Sequence, residues 1–299
     1  MSNAAEMVEL IERVFLTVFP LAIIVLVGFV YARKYETDMQ TANRLNMDIF
    51  LPALIFAVMA AESFDLQTYA ILSLGALVMV IGSGVIAIPI ARALGLRVKT
   101  FVPPMMFNNC GNLGLPLALL AFGETGLAAM MAMFLVSNTL HFTLGSVIVS
   151  GSASLRSLIF NPMILATLIG LGWNLLQLPL PEFIRLPLRM LGDIAIPLML
   201  IALGVRMNAV DLTRWRIGLY GGLLSPATSL VLAIPFALLF DLSAEFTAYL
   251  VLFAAMPPAV LNYLIAERYK LDTASVAAIV MIGNIVSLAV VPITLLFIV

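Results

Sequence analysis

The residues best placed to do chemistry in this chain are asparagines beside helix-breaking residues. The stretch 107–116 reads Phe-Asn-Asn-Cys-Gly-Asn-Leu-Gly-Leu-Pro and interrupts a long apolar run with Asn108, Asn109, Asn112, Gly114 and Pro116. Pro116 has no N–H to offer the carbonyl of Asn112, and Gly111 and Gly114 weaken the helix further, so the backbone should open here. Open backbone at membrane depth persists only where it is buried in protein or lines a wet cavity. A second interruption, Ala-Met-Pro-Pro-Ala-Val-Leu-Asn, carries Pro257, Pro258 and Asn262. The helix after each interruption holds one asparagine among apolar neighbours, Asn138 and Asn284. A half-helix that starts at a break aims free N–H groups and a positive dipole end into the gap, which suits the carboxylate of a small organic anion. Asparagine amides add donors for an anion or carbonyls for a cation. The competing reading is a proline kink with asparagines bridging neighbouring helices.

Two acids and one histidine lie in apolar surroundings and are candidates for coupling to a proton or cation. Asp48 and Asp193 sit in matching segments, Asp-Ile-Phe-Leu-Pro and Asp-Ile-Ala-Ile-Pro, and each proline leaves the aspartate's own carbonyl without its helical donor. Carboxylate and free carbonyl together suit a proton or a hard cation. Arg44 and Arg189 stand four residues before the two acids, so pairing on one helical face is the structural alternative. His141, the one histidine, lies three residues after Asn138 and is either a proton relay or an interhelical donor. The 17 methionines are expected mostly as core and lipid-facing bulk, with adaptable cavity lining the one further role open to Met105, Met106 and Met256. With one cysteine, Cys110, and one histidine, no metal cluster or nucleophile constellation is in view, so an enzyme and a metal cofactor are not expected.

These residues must be positioned by membrane helices. The chain has 299 residues, of which 63% are hydrophobic and 10% charged, with a mean hydropathy of +1.14. One soluble core cannot hide that much apolar surface. The formal charge of −1 and the lack of a basic stripe give no reason to expect nucleic acid as a partner. Apolar runs of about 20 residues occur ten times, near 14–32, 41–61, 66–94, 100–122, 125–150, 155–178, 183–207, 217–240, 244–267 and 272–298. The first is long enough to span, so no cleavable signal peptide is expected. Of the 15 lysines and arginines, all but Arg13, Arg185 and Arg189 fall on one side if the N-terminus lies outside. The bias predicts both termini outside, in an inner or plasma membrane, with Arg156 in a cytoplasmic connection and Ser63 in an external one.

Ten spans divide into five and five. The two Asp-Ile-x-[Leu/Ile]-Pro segments head stretches that stay in step, with Asp65-Leu66 after the first and Asp211-Leu212 after the second. An odd number of spans per half inverts one half relative to the other. The expectation is an all-α integral membrane protein of ten transmembrane helices in two inverted five-helix repeats, 1–150 and 151–299, with helices 4 and 9 broken and crossing.

The run Asn-Asn-Cys-Gly-Asn-Leu-Gly-Leu-Pro-Leu-Ala, Asn161-Pro162, the Leu-Gly-Asp-Ile-Ala-Ile-Pro-Leu-Met-Leu-Ile-Ala-Leu-Gly segment and Met-Pro-Pro-Ala-Val-Leu-Asn-Tyr resemble a bacterial member of the auxin efflux carrier family. The resemblance covers essentially the whole chain. That family includes the plant PIN-FORMED carriers and bacterial proteins named as malonate or malate permeases, and its fold is shared with bile acid:sodium symporters. It implies a scaffold from helices 1, 2, 6 and 7, and a transport domain from helices 3–5 and 8–10. It also implies elevator-type exchange of a small organic anion and a homodimer through the scaffold. Asn109 matches the plant asparagine that contacts the substrate carboxylate. Asp193 stands where the plant carriers have an asparagine, which speaks against auxin as substrate and against an uncoupled mechanism, and makes Asp193 the preferred coupling acid ahead of Asp48. Coupling to protons, to sodium or to neither stays open, as do a sodium-coupled bile-acid-like symporter and a channel.

Overall fold

The computed structural model describes residues 2–62, 64–151, 159–208 and 212–299. Ser63, Leu155, Arg156 and Asp211 lie outside the described residues. In chain order the helices are α1 (Ser2–Lys34), α2 (Gln40–Met59), α3 (Leu66–Ala93), α4 (Val98–Met106), α5 (Cys110–Ser150) and α6 (Pro162–Leu175). They continue with α7 (Glu182–Met207), α8 (Trp215–Leu239), α9 (Ala244–Ala254), α10 (Leu261–Arg268) and α11 (Thr273–Ile298). Seven of these, α1, α2, α3, α5, α7, α8 and α11, are long and apolar enough to cross a membrane. The exposed faces are rich in residues such as Phe15, Leu168, Phe183, Leu238 and Phe297, which hydrocarbon would solvate and water would not.

Prolines explain where the helices change register. A π turn at Asn46–Phe50 precedes Pro52 in α2, and another at Cys110–Gly114 precedes Pro116 at the start of α5. Each proline withholds an N–H from the carbonyl four residues back, and the helix widens just upstream. A third π turn, His141–Gly145, has no proline; there the Thr143 hydroxyl donates to the Thr139 carbonyl at 2.7 Å. The matching segment of α7 behaves differently, since the α-helix runs through Pro197 without a π turn. Within α5, Gly123 adopts φ 69 and ψ −156, a conformation that L side chains rarely take, and the helix bends sharply there.

The two interruptions foreseen in the sequence are present and meet. Between α4 and α5 the chain is extended at Phe107, and between α9 and α10 it is non-helical around Pro257 and Pro258. The two stretches pair as an antiparallel bridge of Asn108 with Pro258. The Asn109 N–H donates to the Pro257 carbonyl at 2.6 Å, and the Ala259 N–H donates to the Phe107 carbonyl at 2.9 Å. Because the two prolines bring carbonyls and no N–H, this short ladder leaves few buried donors unanswered.

Around the paired breaks, α1 packs on α7, and α2 packs on α6 and α7. A second group forms where α3 packs on α4, α5 and α8, and α8 on α9 and α11. The core between them is dense with fully buried Phe253, Leu72, Met79, Leu115 and Met130. Met105, Met106 and Met256 are buried in the packing, as the core reading of the methionines expects.

Candidate functional site

An open cavity of about 710 Å³ reaches the paired breaks. Its walls come from α2 (Asn43, Arg44, Asn46, Asp48), the first break (Asn108, Asn109, Asn112), α5 (Ser137, Asn138, His141) and α7 (Met199, Ala202, Arg206). The second break and α10 complete it with Ala259, Val260, Leu261 and Glu267. The methionines that line it are Met47, Met163 and Met199.

At the first break the helix start is bare. Asn109 occupies the N-cap position without a side-chain cap, and among the described residues no oxygen accepts the N–H groups of Cys110, Gly111 or Asn112. These first-turn donors border the cavity, as do two amides with little else to do. Among the described residues the Asn112 side chain makes no hydrogen bond, and the one side-chain hydrogen bond of Asn138 is from Nδ2 to the Met163 sulfur at 3.7 Å. Free N–H groups at a helix N-terminus together with free amides make an anion-binding end.

Asn109 is committed in part, because its Nδ2 donates to Asn284 Oδ1 at 3.0 Å. Asn284 is itself a brace, donating to the Val280 carbonyl at 2.7 Å and the Pro258 carbonyl at 3.2 Å. Asn108 donates to the Phe253 carbonyl at 2.6 Å, and Asn262 donates to the carbonyls of Phe107 and Ala259, each at 3.0 Å. Three of the sequence candidates, Asn108, Asn262 and Asn284, therefore hold the crossing together. Asn109, Asn112 and Asn138 face the cavity, with Gly114 and Pro116 in the turn that supports them.

The two acids separate. Asp48 lines the cavity, whereas Asp193 is exposed on α7 and lies outside it. Neither forms an ion pair with Arg44 or Arg189; the two ion pairs among the described residues are Arg185–Glu182 and Arg214–Asp272. His141 is buried and stacks on Phe107, with ring centroids 4.0 Å apart and planes tilted by 6°.

Two cavity residues were not singled out as site residues in the sequence. Arg206 reads there as a topological charge near the end of a span, yet it stands half-buried in the cavity wall with no carboxylate paired to it. Asn46 is buried with Oδ1 unsatisfied. Its sequence signal was its place two residues before Asp48, on a turn whose widening Pro52 sets.

The chain also has relatives. The family described as membrane transport protein matches residues 146–295. An uncharacterized transporter of Methanothermobacter thermautotrophicus is 30% identical over 299 residues, covering 92% of this chain and 95% of that protein. The chain belongs to the membrane transport protein family, of the auxin efflux carrier type. Two further members resemble it at 25% identity: a protein of Rhizobium meliloti named "Putative malonate transporter" and an uncharacterized transporter of Methanocaldococcus jannaschii. Those alignments cover 91% and 90% of this chain, and 92% and 94% of the relatives. As a member of this family the chain is a multi-pass membrane transport protein and not an enzyme.

Proposed function

We propose that this transporter moves small organic carboxylate anions by elevator-type alternating access, with the crossing of the two broken helices as its binding centre. The observation that carries the proposal is the bare start of α5, whose first-turn N–H groups have no oxygen acceptor among the described residues and border a cavity that Arg206, Asn112 and Asn138 also line. A half-helix N-terminus and one guanidinium offer an anion directional donors with a single full charge. The name of the Rhizobium meliloti relative puts malonate first among ligands to try.

The architecture we infer for this activity is ten crossings in two inverted halves, 1–150 and 151–299. Three observations support it: the bend at Gly123 divides α5, and α4 with the start of α5, like α9 with α10, is one broken crossing. Contacts among α1, α2, α6 and α7 on one side, and among α3, α4, α5, α8, α9 and α11 on the other, fit a scaffold and a moving body. In this reading a homodimer forms through the scaffold and both termini lie outside. The cavity then opens to the cytoplasm, because Arg44 and Arg206 sit at ends assigned inside by the arginine bias.

Of the two coupling acids, Asp48 is the stronger candidate, since it shares the cavity with the anion and Asp193 does not. A carboxylate facing an anionic substrate repels it unless a proton or cation is taken up first, which links Asp48 to coupling. The alternative, sodium coupling of the bile-acid symporter kind, rests on the same carboxylate.

A thermal-shift screen of malonate, malate and indole-3-acetate, at two pH values and with or without sodium, tests the reading. Stabilisation by at least one carboxylate is expected, since a ligand that binds the folded state raises its melting temperature by mass action. No shift with any of them at millimolar concentration would remove the anion reading.

A further inference from the structure

Behind the cavity lies a second void of about 10 Å³, room for one water molecule. His141 is the residue common to both walls. Asn262 and Lys99 also line the small void. Two buried polar atoms there lack a partner, His141 Nε2 and Asn262 Oδ1, in side chains only 4% and 3% exposed. The Asn262 amide cannot be turned around, because its Nδ2 already donates to the carbonyls of Phe107 and Ala259. Its oxygen is thus an acceptor in want of a donor.

The ring is held as firmly as the amide. It lies flat on Phe107, and a Cβ added at Gly145 would stand 3.0 Å from Phe107 and 3.1 Å from His141, so glycine there leaves room for the stack. The π turn His141–Gly145 aims the ring out of the regular helical register. His141 Nδ1 makes no hydrogen bond to any described residue, so one nitrogen is left over once Nε2 is satisfied.

We propose that His141 is a proton-binding site of this transporter: its Nε2–H is turned to Asn262 Oδ1, directly or through one water in the void, and Nδ1 is the base that takes up a proton from the cavity. Its place in the transport cycle rests on the anion-transport reading; its geometry does not. In the step, an O–H bond of hydronium or of a carboxylic acid breaks and Nδ1–H forms, leaving the positive charge on the ring. That charge arises against Phe107, whose carbonyl accepts from Ala259 and Asn262 at the crossing, so uptake is felt where the two broken helices meet. Asn262 is a positioning residue in this scheme. The charged and titratable groups that face the ring are Lys99 on the void wall, held to the Val149 carbonyl at 3.2 Å, and Arg44, Asp48, Arg206, Glu267 and the Cys110 thiol around the cavity.

Because His141 is the one histidine of the chain, protein labelled with nitrogen-15 histidine reports a single imidazole. In the full chain in lipid nanodiscs the Nε2–H tautomer is expected at neutral pH, with Nδ1 gaining the proton as pH falls. Asn262→Leu should abolish the tautomer preference, and Asn262→Asp, which keeps the acceptor, should retain it if the leucine variant does not fold. A wild-type Nδ1–H tautomer, or an unchanged tautomer in a folded Asn262→Leu protein, would overturn the proposal. A second arm uses malonate in proteoliposomes and reads the ratio of uptake under an inward proton gradient to exchange at equal pH. The ratio should exceed one for wild type and fall to one for His141→Phe, which keeps the stack; a wild-type ratio in that variant rejects the coupling role. If wild type moves no malonate, the substrate reading fails while the imidazole signal still decides the proton site.

Discussion

The two breaks carry similar residues and do opposite work. At the first, α5 begins on an uncapped Asn109, three N–H groups have no oxygen acceptor, and Asn112 and Asn138 are nearly unbonded. At the second, Pro257 and Pro258 have no N–H to leave stranded, the N–H groups of Asn262 and Tyr263 are taken by the carbonyls of Ala259 and Val260, and those of Val260 and Leu261 have no acceptor among the described residues. Asn262 and Asn284 spend their amides on the crossing. Buried polar groups cost free energy unless they are answered, so both breaks call for water or a ligand, and the first, with more bare donors at the cavity, calls for it more than the second, where Asn262 Oδ1 is the side-chain atom left over. A strut and a binding end can therefore be built from one vocabulary of asparagine and proline.

The largest effect that would test this division is at Arg206. Replacing it with glutamine keeps a donor but removes the charge, and malonate affinity should fall by about 3 kcal/mol, roughly a hundredfold. Titration calorimetry on the purified protein measures it. Unchanged affinity would detach Arg206 from the anion and leave the bare helix end to act alone.

Next in size is the strut itself. Asn284→Ala removes the donor to the Pro258 carbonyl and the acceptor for Asn109, in a side chain only 4% exposed. A loss of about 2 kcal/mol of stability is expected, mostly from stranded partners. Denaturation in detergent reads it, and a variant as stable as wild type would show that the second break needs no brace.

How far the sequence led depended on what each signal encodes. Both breaks were legible because proline's missing N–H acts locally, whatever the surroundings. The inequality between them was not, because it depends on which amide finds a carbonyl across the crossing, and Asn109 and Asn284 are 175 residues apart in the chain. The Asp48 and Asp193 segments diverge for the same reason. Near-identical pentapeptides gave a π turn at the cavity wall in one case and an exposed face of an unbroken helix in the other. Arg206 was hidden by its type, since an arginine near a span end satisfies the charge bias whether or not it also lines a cavity.

A smaller effect is expected at Asn112, whose side chain makes no hydrogen bond among the described residues. Asn112→Ala should leave stability within about 0.5 kcal/mol, as for a substitution away from core, cap or network. Malonate binding should weaken by about 1.5 kcal/mol, for loss of one donor to a charged acceptor. If stability falls instead and affinity holds, Asn112 is a strut and the contrast between the two breaks dissolves.

The smallest effect concerns how the helices behind the breaks begin. Where α5 starts bare at the cavity, α11, which carries Asn284, starts outside the span on a full cap. Asp272 accepts from the Ser275 N–H at 3.2 Å and from the Ser275 hydroxyl at 2.9 Å, and Arg214 donates to its carboxylate at 3.1 Å. Partial burial pushes the Asp272 carboxyl up, but the bonds from Ser275 and the Arg214 charge outweigh it and hold the group below its ordinary 3.8. A carboxylate with a depressed value in the folded state contributes stability that is full above the unfolded value and is lost as pH falls through the folded one. Asp272→Ala should therefore cost about 1 kcal/mol at neutral pH, the usual worth of an N-cap. The gap between wild type and variant should narrow only below about pH 4, the ordinary aspartate value. Parallel melting curves from pH 7 down to the acid limit of the detergent measure it. A gap that stays constant through that range would assign the loss to packing rather than to the charged cap, and the contrast between a capped strut and a bare binding end would then rest on the crossing alone.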